Sequence, residues 1–178
     1  MPPAPPFPAL PRLTLVLGGA RSGKSRYAEA LITANPPPWI YVATAQAFDD
    51  EMTERIAQHK ARRAEGWQTL ETTHDLAGLV RAHTDASAPI LIDCLTLWLS
   101  NVMLADMDVP AASADLVEAL SVAHGPIIAV SNEVGLGIVP DNALARAFRD
   151  AQGRLNQDVA AMADRVILMA AGLPLTLK

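Results

Sequence analysis

The chain has a single cysteine, Cys94, so it has no internal disulfide and no cysteine-cluster metal site. Aromatic residues make up only 4% and charged residues 19% of its 178 positions. No apolar run reaches the length needed to span a bilayer, and the N-terminus lacks the basic start and apolar core of a signal peptide. With a net charge of −5 the chain has no general attraction for nucleic acid or anionic membrane, so any phosphate binding must be local. These absences imply a cytoplasmic protein that engages neither nucleic acid nor membrane. An apolar fraction of 51% argues against disorder and for a well-buried sheet, and the length suits one domain.

Proline, by contrast, is abundant, and six of the 14 fall within the first eleven residues. Fixed φ angles and missing N–H donors exclude helix and central strand there, so residues 1–11 read as a disordered leader and 12–178 as the working domain. From Leu13 onward, apolar stretches of strand length (Leu13–Leu17, Trp39–Thr44, Pro89–Cys94, Pro126–Ser131, Val166–Ala171) alternate with stretches of helical period. The helical stretches are Lys24–Ala34, Asp50–Glu65, Asp75–Thr84, Leu95–Leu104, Ala111–Ala123 and Asn142–Ala163. Such alternation predicts an α/β fold, a mostly parallel sheet with helices on both faces.

The first strand runs directly into Gly18-Gly19-Ala20-Arg21-Ser22-Gly23-Lys24-Ser25 and then a helix. This is the phosphate-loop (Walker A) pattern in its required strand-to-helix setting, and chance would produce it on the order of once in a thousand such chains. Glycines let backbone N–H groups turn inward around a polyphosphate, and the helix N-terminus adds partial positive charge. Lys24 is placed to hold the β and γ phosphates, and the Ser25 hydroxyl to ligate Mg²⁺. Asp93, closing the buried run Ile90-Leu-Ile-Asp93, supplies a second anchor for Mg²⁺; a structural turn or cap is its alternative role.

The stretch from Asp49 to Arg63 carries acids at its start and bases at its end, as the helix dipole favours. At about 100° per residue, Arg55, His59 and Arg62 share a sector of roughly 60°. Two readings stand. The face is either a solvated helix end, or it meets nucleotide phosphates, where neighbouring arginines would keep His59 neutral and able to attack phosphorus. His74, His83 and His124 read as surface or capping residues.

The phosphate loop together with Tyr41-Val-Ala-Thr-Ala45, Arg55-Ile-x-x-His59-x-x-Arg62-Arg63, Glu71, Asp93-Cys-Leu-Thr96 and Ser131-Asn-Glu-Val-Gly-x-Gly-Ile-Val-Pro140 resembles the bifunctional adenosylcobinamide kinase / adenosylcobinamide-phosphate guanylyltransferase family. Arg146-x-x-Arg149-Asp150-x-x-Gly153-Arg154-x-Asn156-Gln157 continues the likeness. The resemblance implies a RecA-like phosphate-loop fold, a homotrimer, and two activities in cobalamin biosynthesis. ATP or GTP would phosphorylate adenosylcobinamide; GTP would then guanylylate His59, and the GMP would pass to adenosylcobinamide phosphate. It further implies nucleotide contacts at Gly18 to Ser25, at Ala43, Thr44 and Ala45, at Lys60, Ala61, Arg62 and Arg63, and at Glu71 and Asp93. Kinase chemistry attacks the γ phosphorus and guanylyl transfer the α phosphorus, so the His59 helix is expected to move when GTP binds. Two rival readings are a phosphate-loop kinase of another small metabolite without guanylyl transfer, and a GTP-sensing module without group transfer. For Ser131 to Pro140 the choice is between a structural turn and a part in positioning corrinoid or a neighbouring subunit. Gly153, inside a periodic helix, suggests close packing or a bend.

Overall fold

The first strand, β1 (Leu13–Gly18), is buried at all its positions, as a nearly continuous apolar run requires when both faces of a sheet are covered. The computed structural model describes residues 10–46, 65–83 and 88–178. After β1 come α1 (Lys24–Thr33), β2 (Trp39–Ala43), β3 (Trp67–Glu71), α2 (Leu76–His83), β4 (Ile90–Asp93) and α3 (Leu95–Leu104). They are followed by α4 (Val109–Val122), β5 (Ile127–Asn132), α5 (Ala143–Met162), β6 (Arg165–Ala170) and β7 (Leu173–Thr176). The helix expected over Asp50–Glu65 falls almost wholly outside the described residues, as do residues 1–9 of the proline-rich leader.

Among the described residues the strands form one seven-stranded sheet in the order β3-β2-β4-β5-β1-β6-β7. All neighbours pair parallel except β6 and β7. Period-two alternation divides the core. Leu13, Leu15, Leu17, Ile40, Val42, Ile90 and Ile92 face one side, where they pack with residues of α2, α3, α4 and α5. Val16, Tyr41, Leu91, Ile128 and Val130 face the other, against Ala28 and Ile32 of α1. Each fully buried aliphatic side chain contributes about 1.5–3 kcal/mol, so truncating Leu91, which is fully buried in the middle of β4, costs about 2–5 kcal/mol. The amino end of β1 is fastened separately: Leu13 N–H donates to Asp164 (2.9 Å), and the Arg12 guanidinium donates to the carbonyls of Leu120 (2.9 Å) and Met162 (3.1 Å).

Two strands escape the hydrophobic pattern. β3, Trp-Gln-Thr-Leu-Glu, is a half-exposed edge whose side chains give little periodicity, and its place is decided by pairing with β2 and by Trp67 meeting Trp39 and Tyr41 at ring separations of 5.4 and 5.8 Å. β7 is a short exposed strand folded back by Ala171 (φ 53°) and Gly172 (φ 80°), the paired left-handed residues that a tight hairpin turn needs. Helix α4 begins two residues earlier than its period suggests, at Val109, because Asp108 caps it and Pro110 is tolerated in the first turn. Gly153 corrects another expectation: α5 runs from Ala143 to Met162 as one helix, and a Cβ at Gly153 would meet nothing within 4 Å, so close packing does not account for it.

Candidate active site

At the carboxyl end of β1 the chain turns sharply into α1, and the turn demands glycine. Gly18 has φ 156°, and a Cβ there would lie 2.5 Å from Ser22 Oγ and 2.6 Å from the Met169 carbonyl oxygen. Arg21 sits in the left-handed region at φ 55° and its side chain is exposed, as are Gly19 and Ala20. The loop closes through Ser22 N–H to the Gly19 carbonyl (3.3 Å), and the β6–β7 turn holds it from outside through Gly172 N–H to the Ser22 carbonyl (3.0 Å). Helix α1 starts at Gly23 (φ 95°) with no side-chain cap, which leaves its first N–H groups for an anion. Lys24 is buried, and its ammonium donates to the Gly19 carbonyl at 2.7 Å, across the mouth of the loop. Ser22 Oγ, also buried, has no hydrogen-bond partner among the described residues. A loop that buries an ammonium and leaves a hydroxyl unsatisfied is built for an anionic group that supplies acceptors.

Asp93 ends β4, and β4 is not the neighbour of β1: β5 lies between them. At about 4.8 Å per strand, the acid and the phosphate loop are therefore about 10 Å apart in the plane of the sheet, where a cation bridging acid and phosphate fits. The Tyr41 hydroxyl donates to Asp93 Oδ2 at 3.0 Å and fixes the carboxylate's direction. Glu71, Ala43 and Asp93 stand in one row across β3, β2 and β4, so the sheet register gathers three of the expected nucleotide positions along one edge. Ala45 follows just beyond β2 and is half-buried. Thr44 is different in kind. It is completely buried, its hydroxyl donates to the Cys94 carbonyl (2.7 Å) and accepts from Cys94 N–H (2.9 Å), and Asn101 donates to its carbonyl (2.8 Å). Its side chain thus ties the ends of β2 and β4 together. The chain leaves β4 through a cis Asp93–Cys94 peptide. Cys94 Sγ caps α3 by accepting from Leu97 N–H, and burial, helped by the neighbouring Asp93 charge, pushes its thiol up to about 12, so it is protonated and unreactive at neutral pH.

His59, Lys60, Ala61, Arg62 and Arg63 lie outside the described residues. The remaining histidines do not converge on the loop: His83 Nδ1 lies 2.9 Å from the Leu79 carbonyl, His74 Nδ1 lies 2.9 Å from Thr73 Oγ1, and His124 is exposed. Among the described residues no group of three acidic, histidine or cysteine side chains forms a metal cage.

One set of polar groups behind the loop goes beyond the candidate residues read from the sequence. The Ser131 hydroxyl donates to Asn156 Oδ1 (2.6 Å), the Gln152 amide donates to both, and the Asn156 amide donates to the Asn132 carbonyl (3.0 Å). Thr96 Oγ1 accepts from Asn132 N–H at 2.7 Å. These buried groups fix the end of β5 against α3 and α5. A signal for them exists in the sequence: Gln152 and Asn156 lie four apart on the helix face that carries Leu155 and Val159, where apolar residues are expected.

A family model described as cobinamide kinase / cobinamide phosphate guanyltransferase matches residues 14–177. The bifunctional adenosylcobalamin biosynthesis protein CobP of Pseudomonas aeruginosa is 48% identical over 166 residues, covering 92% of this chain and 96% of that protein. The bifunctional adenosylcobalamin biosynthesis protein CobU of Salmonella typhimurium is 41% identical over 181 residues, covering 93% and 99%. Among solved structures the RadB recombinase superposes with a TM-score of 0.54 at 14% identity, over 89% of this chain and 74% of that one, a likeness of fold alone.

Proposed function

The chain belongs to the cobinamide kinase / cobinamide phosphate guanyltransferase family, and on that premise we propose that it is a bifunctional transferase of cobalamin biosynthesis. It phosphorylates adenosylcobinamide with ATP or GTP, then moves GMP from GTP through guanylyl-His59 to adenosylcobinamide phosphate, yielding adenosylcobinamide-GDP. The observation that carries this reading is the phosphate loop itself, with Lys24 buried at its mouth and Ser22 Oγ without a hydrogen-bond partner among the described residues, set two strands from a carboxylate bonded by Tyr41.

In the kinase step Lys24 and the N–H groups at the start of α1 hold the β and γ phosphates and offset the charge that spreads over the transferred group. Gly18 to Ser25 supply the cradle, while Ala43, Ala45, Glu71 and Asp93 line the sheet edge beside it. Ser25 and Asp93 would hold Mg²⁺; a hydroxyl and one directed carboxylate suit a cation that keeps water and phosphate oxygens as its other ligands and neutralises phosphate charge. In the second step the His59 imidazole attacks the α phosphorus of GTP and pyrophosphate leaves; Lys60, Arg62 and Arg63 sit beside it in sequence to bind the triphosphate. The family's trimeric assembly is part of this reading.

Label transfer tests it. GTP labelled at the α phosphorus should leave acid-labile, base-stable label on the protein, γ-labelled GTP should leave none, and His59→Ala should abolish the signal. Label retained by that variant would refute the histidine assignment, and cobinamide phosphorylation without any protein-bound GMP would favour a kinase alone.

A further inference from the structure

The segment after β5 carries an exposed aliphatic cluster at the end of the sheet where the phosphate loop lies; another, Leu173, Leu175 and Leu177, runs along and just past β7. Leu136 is 86% exposed, Ile138 97% and Val139 64%, three large aliphatic side chains within four residues. Isolated exposed apolar residues need no explanation, but a contiguous set next to a ligand loop is a candidate binding surface.

The loop is fastened at both ends by polar contacts, and those contacts keep its tip outward. At its start Glu133 N–H donates to the Gly18 carbonyl (3.0 Å), which is the first residue of the phosphate loop, and the Glu133 carboxylate accepts from Gly135 N–H (2.8 Å). At its end the Arg146 guanidinium donates to the carbonyls of Pro140 (2.9 Å) and Asp141 (2.8 Å). Behind it the Ser131, Gln152 and Asn156 network immobilises the strand from which it springs. The apolar tip is thus anchored one strand from the transferred phosphate, on the same edge of the sheet.

We propose that the Leu136–Val139 tip is the platform on which the corrin ring of the acceptor rests while its hydroxyl-bearing arm reaches the phosphate loop. The proposal rests on the cobinamide reading above. A cobinamide is a macrocycle with methyl-bearing edges and amide arms, so it needs an apolar surface for the ring and polar space for the arms. The donor's triphosphate would be served by the loop and by Asp93, and an aliphatic tip adds nothing to it. The tip's position, continuous with the phosphate loop through the Glu133–Gly18 bond, singles out the acceptor as its occupant.

The test is steady-state kinetics of the full chain with cobinamide and ATP, with direct cobinamide binding followed by its visible absorbance and molecular mass measured in solution. Ile138→Ser removes a side chain that supports nothing in the fold, so its melting midpoint should match the parent's. Its KM for cobinamide should rise about tenfold, the scale of losing one aliphatic side chain's burial, with KM for ATP within twofold; Ile138→Val should restore most of the loss. Leu136→Ser with Ile138→Ser should weaken cobinamide binding further. An unchanged cobinamide KM in an active double variant would overturn the platform while leaving the kinase assignment standing. A parent chain that neither binds nor phosphorylates cobinamide would overturn both. A drop in molecular mass in the double variant would assign the tip to a second copy of the chain and also overturn the proposal.

Discussion

The ends of β1 and β4 lie two strands apart on one edge of the same sheet, and they treat their polar groups in opposite ways. At the end of β1, Ser22 Oγ is buried without a partner among the described residues, α1 starts without a side-chain cap, and an ammonium closes on a carbonyl of its own loop. At the end of β4, Tyr41, Thr44 and Asn101 hold Asp93, Cys94 and the end of β2 in a set of mutual hydrogen bonds, and the Cys94 sulfur caps the next helix. The first end is left to be completed by an anion. The second is complete in itself, and its product is one carboxylate held in a fixed direction. Stability resides in the saturated corner, and binding in the unsaturated one.

Substitutions that separate activity from stability test that division, and the largest effect belongs to the unsaturated end. Lys24→Ala should lower kcat of the kinase reaction by about 10²–10³ or more, because it removes the buried ammonium of the phosphate cradle, while the protein still unfolds as a single cooperative transition. Activity within tenfold of the parent would mean that the ammonium serves the loop and not the phosphates. At the saturated end Thr44→Val should cost about 1–3 kcal/mol by denaturant titration, since Cys94 N–H loses its acceptor in a dry site and the strand ends lose their tie. A loss below about 0.5 kcal/mol would show that the corner relaxes, and the contrast with β1 would weaken.

The smallest effect concerns pH. Cys94 keeps its proton in the fold up to about 12, whereas an exposed thiol gives it up near 9. The unfolded chain therefore binds fewer protons than the fold between those values, and the stability due to this group, full below about 9, is lost as pH rises toward 12. Melting curves across that window should fall more steeply for the parent than for Cys94→Ala; parallel curves would show that the buried thiol is not the group responsible.

Much of this was legible along the chain. The Gly18–Ser25 pattern announces a tight turn followed by a helix N-terminus because its spacing obeys local geometry, and the structure has that turn. Runs buried on both faces, such as Ile90–Ile92, announce a parallel sheet by their unbroken apolar character. β3 and β7 were harder to read: Trp67 and Leu70 of β3 do not alternate, Pro174 interrupts the leucines of the short β7, and hydrogen bonds to a neighbouring strand define both. At Thr44 the structure adds what the motif did not show, a side chain that ties the end of β2 to Cys94.

By itself, then, the sequence determined the phosphate-loop pattern and the alternation of strands and helices, because each depends on neighbours in the chain. Only the tertiary structure decided that β5 separates Asp93 from Gly18, that Tyr41 bonds the carboxylate, and that Leu136, Ile138 and Val139 are exposed in the segment tied to Gly18 through Glu133. Strand order and burial arise from how distant segments share one core, and that competition leaves no trace in the spacing of adjacent residues.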